Sequence, residues 1–542
     1  VNEREREIKM PNLHPSLQVS AECPFKSNTH ATVIVPLWQA ESVENESDKT
    51  SKDSKTPRLA QSHALDALGE ALQESIYDLA QTEQFSASKG KTLVLRLPAN
   101  PHYAVKRVVL LGLGKSKQAN VDALTKAYTA GFKTVLGWDP SLHKVAVSVV
   151  SGHTVFGGSL LNDESTATTL SLETATTAVV TALYVATYVS AESLKPAQSF
   201  EHVTLIHEQV DAVQSALPFA LALNTGRTLA KDLVNKPANT KTVQSLVDVA
   251  RSIAESHADR FTLNVVDDLA ILEKEMPCFY TVARGNVKSD PPQFIHLVYK
   301  GANPTRKVAL VGKSVIFDTG GYQVKPGNYM VTMKGDMAGG ASVLGTAQAL
   351  AELKPEQVEV HFFLAATPNK IDADAMIPDS IVDTTCGKKV EIRHTDAEGR
   401  LTLIDAVTKA SEVKPEAIIT IATLTGAAKM AVGNTICMMS NAPKWGALLE
   451  ASAKSSGEAV QYVDITLADF ENIKSKLDGA DIRNTNRGSE RGFQTAGAFV
   501  MSGAKDEMPV VHLDIAGADM LEDETSTGTP VATLLTFVMG LS

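Results

Sequence analysis

Val308-Ala-Leu-Val-Gly-Lys-Ser-Val-Ile-Phe-Asp318 decides the fold when read with Val390-Glu-Ile-Arg-His-Thr-Asp-Ala-Glu-Gly-Arg-Leu401. Residues 307–311 have the Val and Leu content of a strand, with Lys313 at its end. The strand-like character continues to Asp318, where Thr319-Gly320-Gly321 lets the backbone turn sharply. The second stretch runs from a strand ending at Glu391 and Ile392 to a helix beginning at Leu401, so Asp396 and Glu398 project from a strand-to-helix connection. Outward from these segments the pattern repeats: helix 341–353, strand 358–365, helix 401–413, strand 417–423. Alternation of this kind defines an α/β layer architecture.

The first half of the chain alternates as well. Short Val-, Ile- and Leu-rich runs at 31–37, 92–97, 108–113, 145–150 and 203–206 read as strands, with helices at 62–79 and 121–135 between them. That pattern predicts a largely parallel sheet. Residues 41–58 are polar and charged and read as an exposed loop. Gly112-Leu-Gly114 lacks the rest of a dinucleotide fingerprint and reads as a turn. A helical segment from about residue 215 ends in the turn signal Asn235-Lys236-Pro237-Ala238-Asn239. The expected organisation is an N-terminal tail (1–19), a smaller N-terminal α/β domain (20–214), a linker helix (215–235) and a C-terminal catalytic α/β domain with a mixed central sheet (236–542).

Global composition agrees with two domains. The chain has 542 residues, too many for one ordinary core, and 44% hydrophobic residues. Lys and Arg number 51 against 62 Asp and Glu, a net charge of −11 that argues against a nucleic-acid surface spread over the protein. Cys23, Cys278, Cys386 and Cys437 are far apart and form no CxxC pair, as expected of reduced thiols in a cytosolic protein. The longest clean apolar run, 178–189, is too short to span a bilayer, and the charged first ten residues have no secretory character.

The chemistry lies in residues 313–400. Lys313, Asp318, Lys325, Asp336, Asp396 and Glu398 fall at strand ends or in loops of one domain, where open α/β sheets place their sites. Hard carboxylate oxygens suit Mg²⁺, Mn²⁺ and Zn²⁺, and a pair of such ions activates water and polarises a carbonyl. In isolation each residue has a plainer reading. Asp396 and Glu398 resemble helix caps, and Lys325 and Arg400 resemble surface cations. The combination favours a two-metal hydrolase.

Residues 311–321, then Lys325-Pro326, then Met333-Lys334-Gly335-Asp336-Met337, resemble the signature of the leucyl aminopeptidases, the M17 family. Thr395-Asp396-Ala397-Glu398-Gly399-Arg400-Leu401 matches that family's most diagnostic motif, and residues 232–239 and 512–517 support it. The resemblance runs from roughly Arg227 to the end of the chain. It implies a metal-dependent aminopeptidase that removes a Leu-like N-terminal residue from peptides. Lys313, Asp318, Asp336, Asp396 and Glu398 are the implied ligands of two divalent ions, Zn²⁺ and/or Mn²⁺ with Co²⁺ or Mg²⁺ as alternatives. The implied catalytic residues are Lys325, on the substrate carbonyl, and Arg400, holding a bicarbonate-like anion as general base. Met333, Thr423, Leu424, Gly426 and Ala516 are the implied substrate-binding residues, with the Leu424 carbonyl accepting a hydrogen bond. A cytoplasmic homo-hexamer is implied, the N-terminal domain serving assembly. A scaffolding paralogue with little catalysis and a DNA-binding role are the alternatives; the complete ligand set and the acidic balance disfavour them.

The sequence departs from the family pattern in three places. His394 stands where Asn is usual, and a structural role is expected for it. The stretch 367–374 and Pro378-Asp379-Ser380 differ from the usual loop. Asp519 stands near the expected pocket floor, where the family has an apolar or small residue.

Overall fold

The computed structural model describes residues 16–20, 32–38, 80, 82–83, 85–97, 105–114, 120–138, 144–148, 171–189, 200–207, 209–488 and 490–542. The expected loop at 41–58, the helix at 62–79 and most of the N-terminal tail lie outside the described residues. The chain divides into two compact units, with the main boundary between Ala220 and Leu221.

The first unit contains strands β1 (Ser16–Ser20), β2 (Thr32–Trp38), β3 (Thr92–Arg96), β4 (Arg107–Gly114), β5 (Lys144–Ser148) and β6 (His202–Ile206). They form one sheet in the order β1-β6-β5-β2-β4-β3. Every neighbouring pair is parallel except β3 and β4. Val33, Val35, Leu110 and Ala146 build its core. Helix α1 (Val121–Leu136) is capped by the Asn120 side chain on the Ala123 amide, and α2 (Leu172–Thr187) by Ser171 on the Thr174 amide. The 178–189 run therefore belongs to a helix, and no helix among the described residues is long and apolar enough to cross a membrane. Gly112 and Gly114 lie in β4 rather than in a turn. The Gly112 amide and carbonyl pair with Lys91 and Gly90, and a Cβ at Gly112 would collide with the Ala87–Ser88 backbone. Close strand approach, not a turn, requires that glycine. The expected linker helix is α3 (Val210–Asn235), which starts earlier than residue 215 and carries Pro218 without ending.

The second unit is built on β7 (Phe261–Val266), β8 (Gln293–Lys300), β9 (Arg306–Asp318), β10 (Val358–Asn369), β11 (Ile381–Asp383), β12 (Lys389–Glu391), β13 (Ala417–Ala422), β14 (Ile436–Ser440), β15 (Val460–Tyr462), β16 (Ile482–Arg483) and β17 (Val510–Asp514). Eight form a mixed sheet in the order β15-β14-β17-β13-β9-β10-β8-β7, and β11-β12-β16 form a small second sheet. Both units are thus α/β with mixed sheets. β9 is buried from Val308 to Ile316, as its apolar run requires of a strand covered on both faces. It extends well past Val311, so Lys313 sits within the strand and not at its end.

The central strands β17, β13, β9 and β10 are mutually parallel. Their carboxyl ends therefore lie on one side of the sheet, bringing Asp514, Ala422, Asp318 and Asn369 together. Helix α4 (Ala338–Leu353) covers β9 closely: a Cβ on Gly312 would lie 2.6 Å from the Gly340 Cα. A Cβ on Gly339 would meet the Ile421 carbonyl and lie 3.0 Å from the Lys313 amide. Small residues at this helix start thus allow it to rest on the strands that carry the site.

Candidate active site

Four carboxylates and two ammonium groups meet at these strand ends. Lys313 Nζ lies 2.7 Å from Asp336 Oδ1 and 3.0 Å from Glu398 Oε1. Lys325 Nζ lies 2.8 Å from Asp318 Oδ2 and 2.6 Å from Asp396 Oδ1. Asp318 ends β9, Asp336 follows a single 3-10 turn (Met333–Gly335), and Glu398 precedes α5 (Gly399–Glu412). Oxygens of Asp318, Asp336 and Glu398 lie within 4.8 Å of one another, and all three residues are buried. Oδ2 of Asp336 is buried without a hydrogen-bond partner. The sequence thus placed six charged residues that the fold gathers into one ion-pair network.

The electrostatics follow from burial and crowding. Burial, then Glu398, pushes the Asp318 carboxyl up to about 7. Burial likewise lifts Asp336 well above the usual carboxylate range. For Glu398 burial acts upward, but Lys313 and Lys325 outweigh it and hold the group below its ordinary value. Burial opposes the charge on Lys313, yet Asp336, Glu398 and Asp318 overcome it and raise that ammonium's pKa. Fully ionised, the four carboxylates would outnumber the two lysines, a charge that a bound cation would balance; without one, burial raises Asp318 and Asp336 toward their protonated forms.

Arg400 lies in the first turn of α5, buried, with its Nε lacking a hydrogen-bond partner. Burial lowers its pKa to about 10, against the pull of Glu398 and Asp514. His512, also buried, accepts or donates at Nδ1 to Thr420 Oγ1 across 2.8 Å, and its Nε2 has no partner. Burial, then Arg400, lowers the His512 pKa to about 3, so it is neutral.

Several positioning residues were not assigned from sequence. Asn369, at the end of β10, donates to Asp318 Oδ1 at 2.8 Å and to the Thr395 carbonyl at 3.1 Å. It joins the two motif segments directly, although its loop departs from the family pattern. Asn484 donates to the carbonyls of His394 and Ala397 and accepts from the amides of Arg393 and His394, fixing the turn that presents Asp396. Asp514 accepts from the amides of Leu424, Thr425 and Ala516 and from the Thr425 hydroxyl. Thr423 Oγ1 donates to Asp336 Oδ1 at 2.9 Å. Asp514 gave a sequence signal only as part of a flanking motif match without a role, Thr423 was expected to bind substrate rather than to hold Asp336, and Asn369 was noted only within a departing loop. His394 Nδ1 accepts the Asp396 amide at 3.1 Å. An Asn side-chain oxygen fills the same local role, which explains why His serves there.

The residues expected to bind substrate border this cluster. Met333 begins the turn that ends at Asp336, and Thr423 and Leu424 are tied to Asp336 and Asp514. Ala516 follows β17, and Gly426 starts α6 (Gly426–Val432), where a Cβ would meet nothing within 4 Å.

Fold and site define an α/β protein with a buried acidic centre, able to hold metal, at the carboxyl ends of its parallel strands. The chain belongs to the cytosol aminopeptidase family: residues 228–535 match its catalytic domain and residues 49–150 its N-terminal domain. It is 34% identical over 467 residues to leucine aminopeptidase 1 of Arabidopsis thaliana, covering 85% of each chain. It is 34% identical over 466 residues to the chloroplastic leucine aminopeptidase of Solanum tuberosum, covering 84% of this chain and 77% of the relative. A mutant of tomato leucine aminopeptidase has a similar structure, with a TM-score of 0.80, 27% identity and 97% of both chains covered.

Proposed function

We propose that this chain is a metal-dependent aminopeptidase that cleaves the N-terminal residue, Leu-like by preference, from peptides. The observation that carries the proposal is the buried cluster of Asp318, Asp336 and Glu398, with the partly exposed Asp396 beside it and Lys313 and Lys325 among them. The carboxylates fit divalent ions: their oxygens are hard donors, those of Asp318, Asp336 and Glu398 converge, and Asp336 Oδ2 has no other partner, while Lys313 would join them only as the neutral amine. Lys313, Asp318, Asp336, Asp396 and Glu398 would hold two ions, Zn²⁺ and/or Mn²⁺, with Co²⁺ or Mg²⁺ as substitutes. Bound there, such ions supply Lewis acidity toward water and the scissile carbonyl.

The protein's own groups do the rest. Lys325, 14% exposed at its side chain and paired with Asp318 and Asp396, is less enclosed than Lys313 and would be the ammonium that meets a carbonyl oxygen gaining charge. Its own pKa is raised: burial acts downward, but Asp318 and Asp396 outweigh it, so the group stays cationic and serves as an electrostatic stabiliser. Arg400, with a buried and unpaired Nε, suits a small planar anion such as bicarbonate, which would accept the proton of the attacking water. The Leu424 carbonyl, flanked by the Leu424 and Thr425 amides that donate to Asp514, would accept from the substrate. Met333, Thr423, Gly426 and Ala516 would surround the N-terminal side chain.

The remaining organisation is part of the same proposal: a tail (1–19), an assembly domain (20–214), a linker helix (215–235), a catalytic domain (236–542), and a cytoplasmic homo-hexamer. Family membership supports it. Hydrolysis of a leucine anilide beside its N-acetylated form tests the activity. The free amine should be cleaved only after metal is added to stripped protein, and the acetylated form should not. Equal cleavage of both would overturn the aminopeptidase reading.

A further inference from the structure

Three segments adjoin the residues that carry or support the acidic cluster. The 3-10 turn Met333–Gly335 leads into Asp336. The segment 515–519 follows β17 and packs on α6: a Cβ on Gly517 would meet the Gly433 carbonyl and lie 3.4 Å from the Lys429 Cα. The third segment, the start of α6, faces open space at Gly426. Asp519 stands in this wall. Its amide donates to the Ile515 carbonyl at 3.0 Å, and its Oδ2 lies 3.8 Å from the position of a Cβ on Gly335. The side chain is therefore one residue away from Asp336 across the turn.

The surroundings of this carboxylate are unusual. Asp519 is only 9% exposed. Among the described residues no side chain donates to it and no cation forms an ion pair with it; Lys429 acts on it only through space. Only its own backbone amide and that of Met520 hydrogen-bond to the carboxylate, so it has no charged partner. The rest of the lining is apolar or small: the Met520 methyl packs against Gly335, and Ala516 and Ala518 flank the segment. A nearly buried carboxylate without a counter-ion is costly unless a partner arrives.

We propose that Asp519 is a specificity-determining residue, its carboxylate receiving the cationic end of an N-terminal lysine or arginine side chain. The inference rests on the aminopeptidase reading and names a substrate class for the same site. Met333, Thr423 and Ala516 accept the aliphatic stem, so Leu is still accommodated, while the lysine ammonium or arginine guanidinium supplies the charge the pocket lacks. Burial pushes the Asp519 carboxyl up to about 7, against the weaker pull of nearby amides and Lys429. An arriving cation favours the ionised form and returns the group toward its ordinary range.

The test compares lysine and norleucine anilides, which share the stem and differ in the ammonium. It uses the full metal-loaded protein and the variants Asp519→Asn and Asp519→Leu. The kcat/KM ratio of lysine to norleucine should fall about tenfold or more in Asp519→Leu, with a similar direction in Asp519→Asn. An unchanged ratio in variants that still cleave norleucine anilide would overturn the inference while leaving the aminopeptidase reading intact. Failure of every form, wild type included, to release any N-terminal residue would overturn both. Should the variants not fold, wild type decides by competition against leucine anilide. Lysinamide should inhibit about as tightly as norleucinamide or more tightly, because a pocket without a receiving carboxylate would disfavour the ammonium, and inhibition tenfold weaker refutes the role.

Discussion

Asn369→Ala is the substitution that most sharply tests how the site is held. The Asn369 amide nitrogen spends its two hydrogens on Asp318 Oδ1 at 2.8 Å and the Thr395 carbonyl at 3.1 Å, in a residue 2% exposed. A bond to a charged acceptor contributes about 1.5–3 kcal/mol and a neutral one about 1 kcal/mol. The backbone anchor survives the change, because Thr319 donates its amide and hydroxyl to the Asn369 carbonyl. The variant should therefore fold, with Asp318 held by the Gly320 amide and the Lys325 ion pair but no longer tied to the Thr395 segment. Groups that orient metal ligands in this way typically govern metal affinity or activity by about 10- to 100-fold. The assay is kcat/KM on leucine anilide across a metal titration, with circular dichroism to verify the fold. The expected result is a loss in that range, partly recovered at high metal. A folded variant with wild-type metal dependence and kcat/KM would refute the assignment of Asn369 as the link between the two motif segments.

Lys325→Met should lower kcat by about 10²- to 10³-fold with a smaller change in KM, since the ammonium acts on charge developed in the transition state; steady-state kinetics decide it. Gly399→Ala would place a methyl against the Lys313 side chain, 2.7 Å from Nζ. It should lower stability by about 1–3 kcal/mol and activity at least tenfold, read by denaturant unfolding and anilide hydrolysis. Asp405 is buried, and burial lifts its carboxyl to about 6 despite donation from the Phe279 and Thr385 amides. An acid whose native pKa is raised holds its proton longer when folded, so its contribution to stability is lost as pH rises from about 4 to about 6. The melting temperature of wild type relative to Asp405→Asn should therefore fall across that interval, and a constant difference would contradict the burial argument.

The elements that carry the site, β9, β10, β12, β13 and helices α4 and α5, were legible because their apolar runs are bounded by turns and close-packing glycines, whereas β7, β8, β14, β15 and β17 were not read as strands. The extent of β9 was underestimated. A lysine in a strand suggests an edge or an end, whereas Lys313 is sustained in the interior by Asp336 and Glu398, residues distant in sequence. The charged members of the site were readable as motifs, since each lies in a short glycine-rich segment. Asn369, Asn484 and Thr423 were not read as supports, because a single Asn or Thr at a strand end has no pattern until the partner strand is placed beside it. Asp514 illustrates the same limit: its segment was recognised, yet its grip on residues 424–425 depends on the parallel pairing of β17 with β13. In the first unit β2 to β6 were found, but β1 was read as the end of a tail and helix α2 was noticed only as an apolar run, since its buried Thr and Ala residues carry little helical periodicity.

The most direct test of the account is the number of divalent ions bound per chain, measured by elemental analysis during reconstitution of stripped protein and plotted against leucine anilide hydrolysis. The account predicts saturation at two ions per chain, with activity rising in step and both lost in Glu398→Gln. Full activity in protein holding no divalent metal would contradict it.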